Sequence, residues 1–493
     1  MSRRAVLALG SALVLHAGAA AHLNSPNVYL EEAAGPWPAI TVIDMPRAVP
    51  GEARVRVRLQ DLKPGEAAKV RLLEIPPEGE QAAPGWVEAK VLSADPSTFI
   101  APMPLMTYGV WKARIEVSGG RGQGTIDIPV AAKTPPSQTI TRSLAAILLT
   151  LAAFLLGTLW LIVRALSRDV YRGAATIPTW ARRYLPAGTT LAFLGVLGFH
   201  MYAWAQMDAQ LSLRNARTTK ATLAEMEGAV VAGNETVLRL AVKDTKGRPV
   251  TDLVADHGKI MHAVVVKVPE MTYFLHLHPV PAGPGAFDVN VDPPEPGRYE
   301  VFADLLYPTG ATDTVTANFD AGPGGGPRAP RFADPDDSES TQAAFGAEAT
   351  GRRMTDVGDG LTMRLVSPPA GPIAIRDLLD IGVELDGPDG KPVDALEPYM
   401  GMGGHLLIVR SDFQVFAHVH PMGTISAGMT MPPMHAGMSP EEHAKMMAAM
   451  QSRIPGARVS FPFGFPSPGK YRLFVQVKYG GKIRTGVYDL TVG

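Results

Sequence analysis

The sequence predicts a mainly β protein, with three β-sandwich domains and a two-helix transmembrane hairpin. Short apolar-polar alternations separated by Pro and Gly turns fill residues 22–132 and return throughout the C-terminal half. Uncharged runs long enough to cross a bilayer lie between these regions. The C-terminal half also repeats itself, because residues 296–307 (PGRYEVFADLLY) recur at 468–479 as PGKYRLFVQVKY.

Composition narrows the classes of function. The 493 residues have room for about three domains, and the net charge of −1 indicates no basic surface for nucleic acid. The absence of cysteine excludes disulfides, thiolate catalysis and Cys-ligated metal sites. Any metal site must therefore use histidine, carboxylate, backbone or some of the 21 methionines.

Residues 1–21 have the three parts of a secretory signal peptide: two arginines, an apolar run and a small-residue Ala-Ala-Ala ending. Cleavage after Ala21 makes His22 the first mature residue, and its amino and imidazole groups together can chelate copper. Cleavage after Ala19 satisfies the same rule and would remove that terminus. The alternations of residues 22–132 then predict the first β-sandwich.

Two membrane helices are predicted at residues 143–164 and 188–206. The loop between them, residues 165–187, is rich in arginine, which the positive-inside rule places in the cytoplasm. Both large flanks then lie in the periplasm, as the signal peptide independently indicates, and the chain is expected in a bacterial inner membrane. His200 lies within the second span, where an interface role and a ligand or proton-relay role are both open.

The remaining chain is predicted as two β-sandwich repeats. The first covers residues 218–320 and the second residues 353–493, with a Met-rich insertion at 423–453 that the first repeat lacks. The Gly-, Pro- and Asp-rich residues 321–352 between them are typical of a linker with no core of its own.

Each repeat carries a predicted β-hairpin with histidines near its open end. In residues 403–422, a two-residue loop at Ser411-Asp412 places His405 opposite His418, and His420 returns to the same face.

In residues 261–279 of the first repeat, a turn centred on Pro269 places His262 opposite His276, with His278 beside them. Each hairpin thus predicts three converging imidazoles, which are ligands for copper, zinc or nickel.

Methionines favour copper over zinc in the second repeat. Met400, Met402 and Met422 lie close in sequence to its hairpin histidines, and thioether sulfur is a soft ligand that prefers Cu(I). In the first repeat His257 aligns with Met400, which predicts a harder site there. The oxidation state, Cu(I) or Cu(II), stays open. A structural role for the histidines, hydrogen-bonding turn backbone, is the competing interpretation.

The insertion offers further candidate ligands in His435 and His443. Met429 to Met450 includes an irregular, Pro- and Gly-punctuated Met-x-Met run, followed by a predicted helix that begins at Ser439. A copper-capturing arm and an adaptable apolar contact are both consistent with this pattern.

The F-x-H-x-H-P-like endings at 274–279 and 416–421, with the later P-G-[RK]-Y, resemble the YtkA-like domain family. That resemblance implies immunoglobulin-like exported domains, often found among bacterial copper-handling proteins. The start His22-Leu23-Asn24-Ser25-Pro26 is weakly similar to the mature N-terminus of CopC-type copper proteins.

We therefore expect a membrane-anchored envelope copper-binding protein, acting as a chaperone or buffer. Its expected partners are the lipid bilayer and another envelope metalloprotein that donates or receives copper. Two alternatives stay open: an immunoglobulin-like interaction or scaffold protein with structural histidines, and a copper oxidase or oxygenase with a His22 brace. No P-loop or G-x-S-x-G elbow is present, and Gly120-x-Gly122-x-Gly124 joins two strands as a turn, so no enzyme class is predicted.

Overall fold

The computed structural model describes residues 22–23, 27–46, 48–133, 142–168, 178–215, 221–244, 247–324, 334–346, 352–375, 378–424 and 454–493. The described chain is mainly β, as predicted. It divides into two compact units, Met1–Lys133 with Arg217–Gly493, and Thr134–Ala216.

The described part of the first unit includes a short strand, β1, and the strands of an N-terminal domain. These strands are β1 (His22–Leu23), β2 (Val28–Ala34), β3 (Trp37–Asp44), β4 (Gly51–Leu59), β5 (Ala68–Ile75), β6 (Trp86–Glu88), β7 (Lys90–Leu92), β8 (Asp95–Leu105), β9 (Gly109–Gly119) and β10 (Gly122–Ala132), with a 3-10 turn at Glu80–Ala82. Sheets of order β2-β3-β4-β8-β7 and β10-β9-β5-β6 enclose one apolar core, as in a β-sandwich.

The described residues of repeat 1 form ten strands in two sheets. They are β11 (Ala221–Glu227), β12 (Val230–Val231), β13 (Thr236–Asp244), β14 (Met261–Val268), β15 (Tyr273–Leu277), β16 (Val280–Gly283), β17 (Ala286–Val291), β18 (Gly297–Leu306), β19 (Thr312–Gly322) and β20 (Ser338–Thr341). The sheet orders are β11-β13-β17-β16 and β12-β19-β18-β14-β15-β20. Strand β20 comes from the stretch predicted as a linker, and it covers the free edge of β15.

Repeat 2 has the same plan. Its strands are β21 (Met354–Asp356), β22 (Thr362–Ser367), β23 (Leu379–Asp386), β24 (Ala395–Leu396), β25 (His405–Arg410), β26 (Val415–Val419), β27 (Ile454–Pro455), β28 (Arg458–Phe463), β29 (Gly469–Tyr479) and β30 (Lys482–Val492). Sheets of order β21-β22-β23-β28 and β1-β26-β25-β29-β30 enclose its core, and β24 pairs with β27. Here β1 covers the free edge of the hairpin, pairing in parallel with β26.

The two histidine-bearing hairpins are buried on both faces. Residues alternate along each strand, so Ala263 and Val265 of β14 enter the core of repeat 1 while Val264 and Val266 face away from it. The outward face packs against repeat 2 in a second apolar cluster, formed by Val264, Val266, Met271, Phe274 and Phe302 with Leu407, Val409, Phe416, Phe474 and Val487. The continuous apolar runs of these strands are typical of burial on both faces.

The contacts between repeats are reciprocal. Phe274 stacks on Phe474 with ring centroids 4.2 Å apart, and Phe302 stacks on Phe416 at 4.5 Å. Phe274 and Phe416 occupy equivalent hairpin positions, and Phe302 and Phe474 are equivalent in the repeated segment. Such an exchange of partners is the contact pattern of an approximate twofold axis.

The N-terminal domain packs beside the end of the repeat 2 hairpin. The amide of Glu31 donates to the carbonyl of Met422 at 2.7 Å, and Gly423 approaches so closely that an added Cβ would lie 2.0 Å from the Tyr29 carbonyl oxygen. Glycine is required at 423 by this approach, and its φ of 121° also favours glycine.

The second unit contains helices α1 (Arg142–Arg168) and α2 (Thr179–Asn215), which contact each other. Among the described residues, the segment Ala146–Ala165 is long and apolar enough to cross a membrane, with a mean hydropathy of 2.5. The second predicted span lies inside α2, where glycines, threonines and His200 lower the apolar character.

Candidate metal centre

The structure brings seven histidines together where the two repeats meet. Each lies on the interface face of its hairpin or in the turn that precedes it, and nearest neighbours have ring centroids 4.6 to 5.1 Å apart. They are His257, His262, His276, His278, His405, His418 and His420, here called the histidine cluster. The histidines predicted to form two separate sites therefore lie in one cluster.

The predicted pairing of the hairpins is wrong by two residues. The observed register pairs Leu407 with His418 and Val264 with His276, so neither His405 opposite His418 nor His262 opposite His276 occurs. The connections are longer than predicted because Phe413 and Met271 leave the strands with left-handed φ values of 60° and 51°. A shift of two residues keeps every side chain on its face, so the histidines still converge.

His276 is held by a residue of the other repeat. Its Nδ1 lies 2.8 Å from Oε1 of Gln476, while the amide nitrogen of Gln476 donates to Ser338 and Thr485. This orientation makes Nδ1 of His276 the protonated nitrogen and leaves Nε2 as a lone pair. Nε2 is buried and has no hydrogen-bond partner.

His278 and His418 are each held by a carboxylate. Oδ1 of Asp337 accepts from both the backbone amide and Nδ1 of His278 at 2.8 Å. Nδ1 of His418 lies 3.1 Å from Oδ2 of Asp304, a residue of repeat 1. Carboxylate-to-histidine bonds of this kind fix the tautomer and ring direction of metal-ligating histidines.

His405 and His262 each also have one buried ring nitrogen without a hydrogen-bond partner. Nδ1 of His405 lies 2.8 Å from Nε2 of His418, and Nε2 of His262 lies 3.3 Å from the carbonyl oxygen of Asp256. In the tautomers that satisfy these hydrogen bonds, Nε2 of His405 and Nδ1 of His262 carry no proton and each has a free lone pair. Both are buried without a hydrogen-bond partner, as is Nε2 of His278.

Burial favours the neutral form of five of these imidazoles, His257, His262, His276, His405 and His418, by lowering their pKa values. Burial, with a contribution from neighbouring His278, lowers the pKa of His262 to about 3. Burial first, and the neighbouring histidines second, lower the pKa values of His276, His405 and His418 well below the usual range. Burial also raises the pKa of Asp304 to about 7. Neutral imidazole is the form that ligates metal ions.

Ring nitrogens within the cluster approach closely enough to share an ion. One nitrogen from each of His262, His276 and His278 lies within 4.8 Å of the others, and the same holds for His276, His405 and His418 across the repeats. Two ligands ~2 Å from one ion are ~3.3 Å apart in tetrahedral geometry, so nitrogens at the 4.8 Å limit would have to approach each other by ~1.5 Å to share an ion.

His257 approaches from a tight turn. It has a φ of 49° and is followed by Gly258 at 82°, as in a type I′ turn, and its ring centroid lies 4.7 Å from that of His420. One atom each of Asp256, His257 and His420 form a further group within 4.8 Å.

Of the three predicted methionine ligands, two lie in one turn of repeat 2 and the third packs against the N-terminal domain. Met400 has a φ of 50° and precedes Gly401 at 78°, so it occupies the turn of repeat 2 equivalent to that of His257. Met402 closes this turn, exchanging two backbone hydrogen bonds with Tyr399. Met422 packs against the core of the N-terminal domain.

The other predicted ligands are His22, His435 and His443. The backbone of His22 pairs with Val415, three residues before His418 and therefore ~10 Å along the strand from its level. His435 and His443, with the rest of the Met-rich segment and the signal peptide, lie outside the described residues.

Sequence reasoning missed the residues that hold the histidines. Asp304 and Gln476 occupy the same position of the repeated segment, and they pair across the strands with His262 and His405. The available signal was a polar residue at the same position of both strands, flanked on each side by an apolar residue. Tyr399, whose hydroxyl donates to the Asp336 carbonyl and lies 3.3 Å from Nδ1 of His276, had no comparable signal.

Comparison with known families matches both repeats. A family model described as "Domain of unknown function (DUF8832)" matches residues 217–322 and 359–493. Curated proteins give no match.

Solved structures align weakly. The chain aligns with Salmonella alpha-2-macroglobulin reacted with methylamine at 9% identity and a TM-score of 0.20, covering 96% of this chain and 24% of that one. It aligns with E. coli alpha-2-macroglobulin at 11% identity and a TM-score of 0.20, covering 94% of this chain and 23% of that one. A bacterial ice-binding adhesin aligns at 7% identity and a TM-score of 0.16, covering 90% of each chain. The chain thus spans 24% and 23% of the two macroglobulins.

Proposed function

We propose that this chain is a membrane-anchored envelope protein that binds copper in the histidine cluster and acts as a chaperone or buffer. One observation carries the proposal: Nδ1 of His262 and Nε2 of His276, His278 and His405 are buried lone pairs without hydrogen-bond partners. Leaving a buried polar group unsatisfied costs ~1–3 kcal/mol, so four in one place need a physical reason. A bound cation supplies one.

The donor set favours copper. Imidazole nitrogen binds copper, zinc and nickel, and among divalent ions affinity is highest for Cu(II). The described contacts place nitrogen donors at the centre, whereas Met422 packs on the N-terminal domain. Nitrogen donors of this kind favour Cu(II) over Cu(I) as the bound oxidation state. Because Asp337, Asp304 and Gln476 already orient three rings, the site is preorganised.

The proposed architecture is three immunoglobulin-like β-sandwiches on a two-helix membrane hairpin. The arginine-rich loop, residues 165–187, would lie in the cytoplasm and the β domains in the periplasm. This placement is supported by the apolar segment Ala146–Ala165 and by the positive-inside pattern. Copper would be exchanged there with another envelope metalloprotein.

The test measures copper retained by the full chain, purified in detergent, exposed to Cu(II) and freed of excess ion. We expect bound copper in the unmodified chain and background levels in the double variant His276→Ala/His405→Ala. His200→Ala is the matched control, since this histidine lies in α2 with its Nδ1 2.8 Å from the Val196 carbonyl oxygen. Equal copper in the double variant and the unmodified chain would refute the cluster as the site.

A further inference from the structure

Four members of the histidine cluster form a central quartet: His262 and His276 of repeat 1 with His405 and His418 of repeat 2. The six distances between their ring centroids are all similar: 5.1, 5.3, 5.4, 5.5, 5.7 and 6.2 Å. Four points that are roughly equidistant from one another mark the corners of a tetrahedron.

These distances suit one ion at the centre. An imidazole nitrogen ligates at ~2.0–2.1 Å, which puts the ring centroid ~3.2 Å from the ion, so four rings in tetrahedral geometry have centroids ~5.2 Å apart. The quartet lies within about 1 Å of that spacing in every pair. His278 and His420 lie outside it, each against the two quartet members of its own repeat.

The approximate twofold axis passes through the same place. His276 contacts Gln476 of repeat 2, and the equivalent His418 contacts Asp304 of repeat 1. Together with the reciprocal phenylalanine stacks, these exchanged contacts relate the two halves of the quartet. Each repeat therefore supplies half of a symmetric ligand set.

We propose that the quartet binds a single metal ion on this axis, with two ligands from each repeat. This proposal rests on the metal-binding function proposed above. Binding is then conditional on the docked arrangement of the repeats, and neither hairpin holds a complete site alone. In this arrangement Nε2 of His418 exchanges its 2.8 Å contact with Nδ1 of His405 for the ion. The contrasting arrangement is two ions, one per hairpin, each held by three histidines.

Stoichiometry and spectroscopy separate these arrangements. The full chain is titrated with Co(II), whose visible absorption is intense in tetrahedral sites, and with Cu(II). Two variants each remove one half of the quartet: His262→Ala/His276→Ala and His405→Ala/His418→Ala. We expect one tight equivalent in the unmodified chain and a loss of more than ~100-fold in affinity in either variant, because even changes behind the ligands cost 10–100-fold.

His278→Ala and His420→Ala each remove a flanking ring and keep the quartet, so one equivalent with tetrahedral absorption should persist in both, with a smaller loss of affinity than in either half-quartet variant. The matched control is His200→Ala in α2, which should change neither the stoichiometry nor the affinity. X-ray absorption of the unmodified chain provides a readout independent of variant folding: about four imidazole nitrogens and no sulfur around the ion.

The outcomes distinguish this proposal from the function it rests on. No bound metal in the unmodified chain overturns both. Two tight equivalents, of which each half-quartet variant retains one, overturn the shared site but keep the metal-binding function. Sulfur ligation in the X-ray spectrum also overturns the quartet, and points to the methionines instead.

Discussion

The amide oxygen of Gln476 lies 2.8 Å from Nδ1 of His276, a histidine of the other repeat. Its equivalent, Asp304, lies 3.1 Å from Nδ1 of His418. The two contacts are related by the approximate twofold axis but differ in chemistry, since one acceptor is a neutral amide and the other a carboxyl group. Each repeat thus orients a ring of its neighbour.

Gln476→Leu should weaken metal binding by ~10–100-fold without removing a ligand, because the freed His276 ring loses its orienting bond. Thr485→Val is the matched control, since it removes one of the two acceptors of the Gln476 amide nitrogen and leaves the bond to His276 in place. Competition titration against a chelator of known affinity gives the metal dissociation constants of the variant and the unmodified chain, and so their ratio. Equal affinities for Gln476→Leu and the unmodified chain would show that the contact has no orienting role.

The alternation of the hairpins could be predicted from sequence, and with it the common face of their histidines. Their register could not, because it depends on Met271 and Phe413. Both residues take left-handed φ values and leave the strands to pack into the cluster between repeats. Tertiary packing therefore overrode the shorter turns that local sequence favoured.

The convergence of the two sets of histidines in one cluster could not be predicted from the local sequence of either hairpin. The outward face of each hairpin carries valine, leucine or phenylalanine beside the histidines. This composition indicates that another part of the protein covers the face, but it does not identify that part. The partner is the other repeat, more than a hundred residues away. Likewise, the acidic run at 334–337 was predicted as a linker, although Asp337 holds His278.

Reporter fusions should find Ala175 in the cytoplasm and Gly322 in the periplasm. The reason is the excess of arginine over acid in residues 165–187, which the positive-inside rule retains in the cytoplasm. Alkaline phosphatase fused at each position provides the measurement. As a control, a variant with the loop arginines replaced by serine should lose the preferred orientation. A phosphatase that is inactive at Gly322 in the unmodified chain would contradict this topology.

The N-terminal domain should lose stability as pH rises toward 8. Glu74 is 3% exposed, and burial, with a smaller contribution from Glu52, raises its pKa from 4.5 to about 7. A raised folded-state pKa gives stability that is complete below about 4.5 and is lost as pH passes through about 7. The loss is at most ~3 kcal/mol.

Hydrogen exchange of the β5 and β9 amides between pH 5 and 8 measures this effect, after correction for intrinsic exchange rates. Glu74→Gln should remove most of the pH dependence, since glutamine stays uncharged. Glu78→Gln, at an exposed position of the same domain, should leave it unchanged. A pH profile that is identical in Glu74→Gln and the unmodified chain would assign the effect to another group.

Arg472 should be the interface residue whose replacement is most destabilising on its own. It is 1% exposed, pairs with both carboxylate oxygens of Asp489 at 2.7 and 2.8 Å, and donates to the Met271 and Ala343 carbonyl oxygens at 2.9 Å. Arg472→Met leaves Asp489 as a buried unpaired charge and frees both carbonyls. Breaking a buried pair from one side costs ~3–5 kcal/mol.

The double variant Arg472→Met/Asp489→Leu tests the source of that cost. Replacing both charges with apolar groups removes the stranded carboxylate, so the double variant should be more stable than Arg472→Met by ~2 kcal/mol or more. Hydrogen exchange of the β29 and β30 amides measures the stability of the single and the double variant. If the double variant is as unstable as the single one, the cost lies in the lost bonds to Met271 and Ala343, and Arg472 acts as a tie between the repeats rather than as a counter-ion for Asp489.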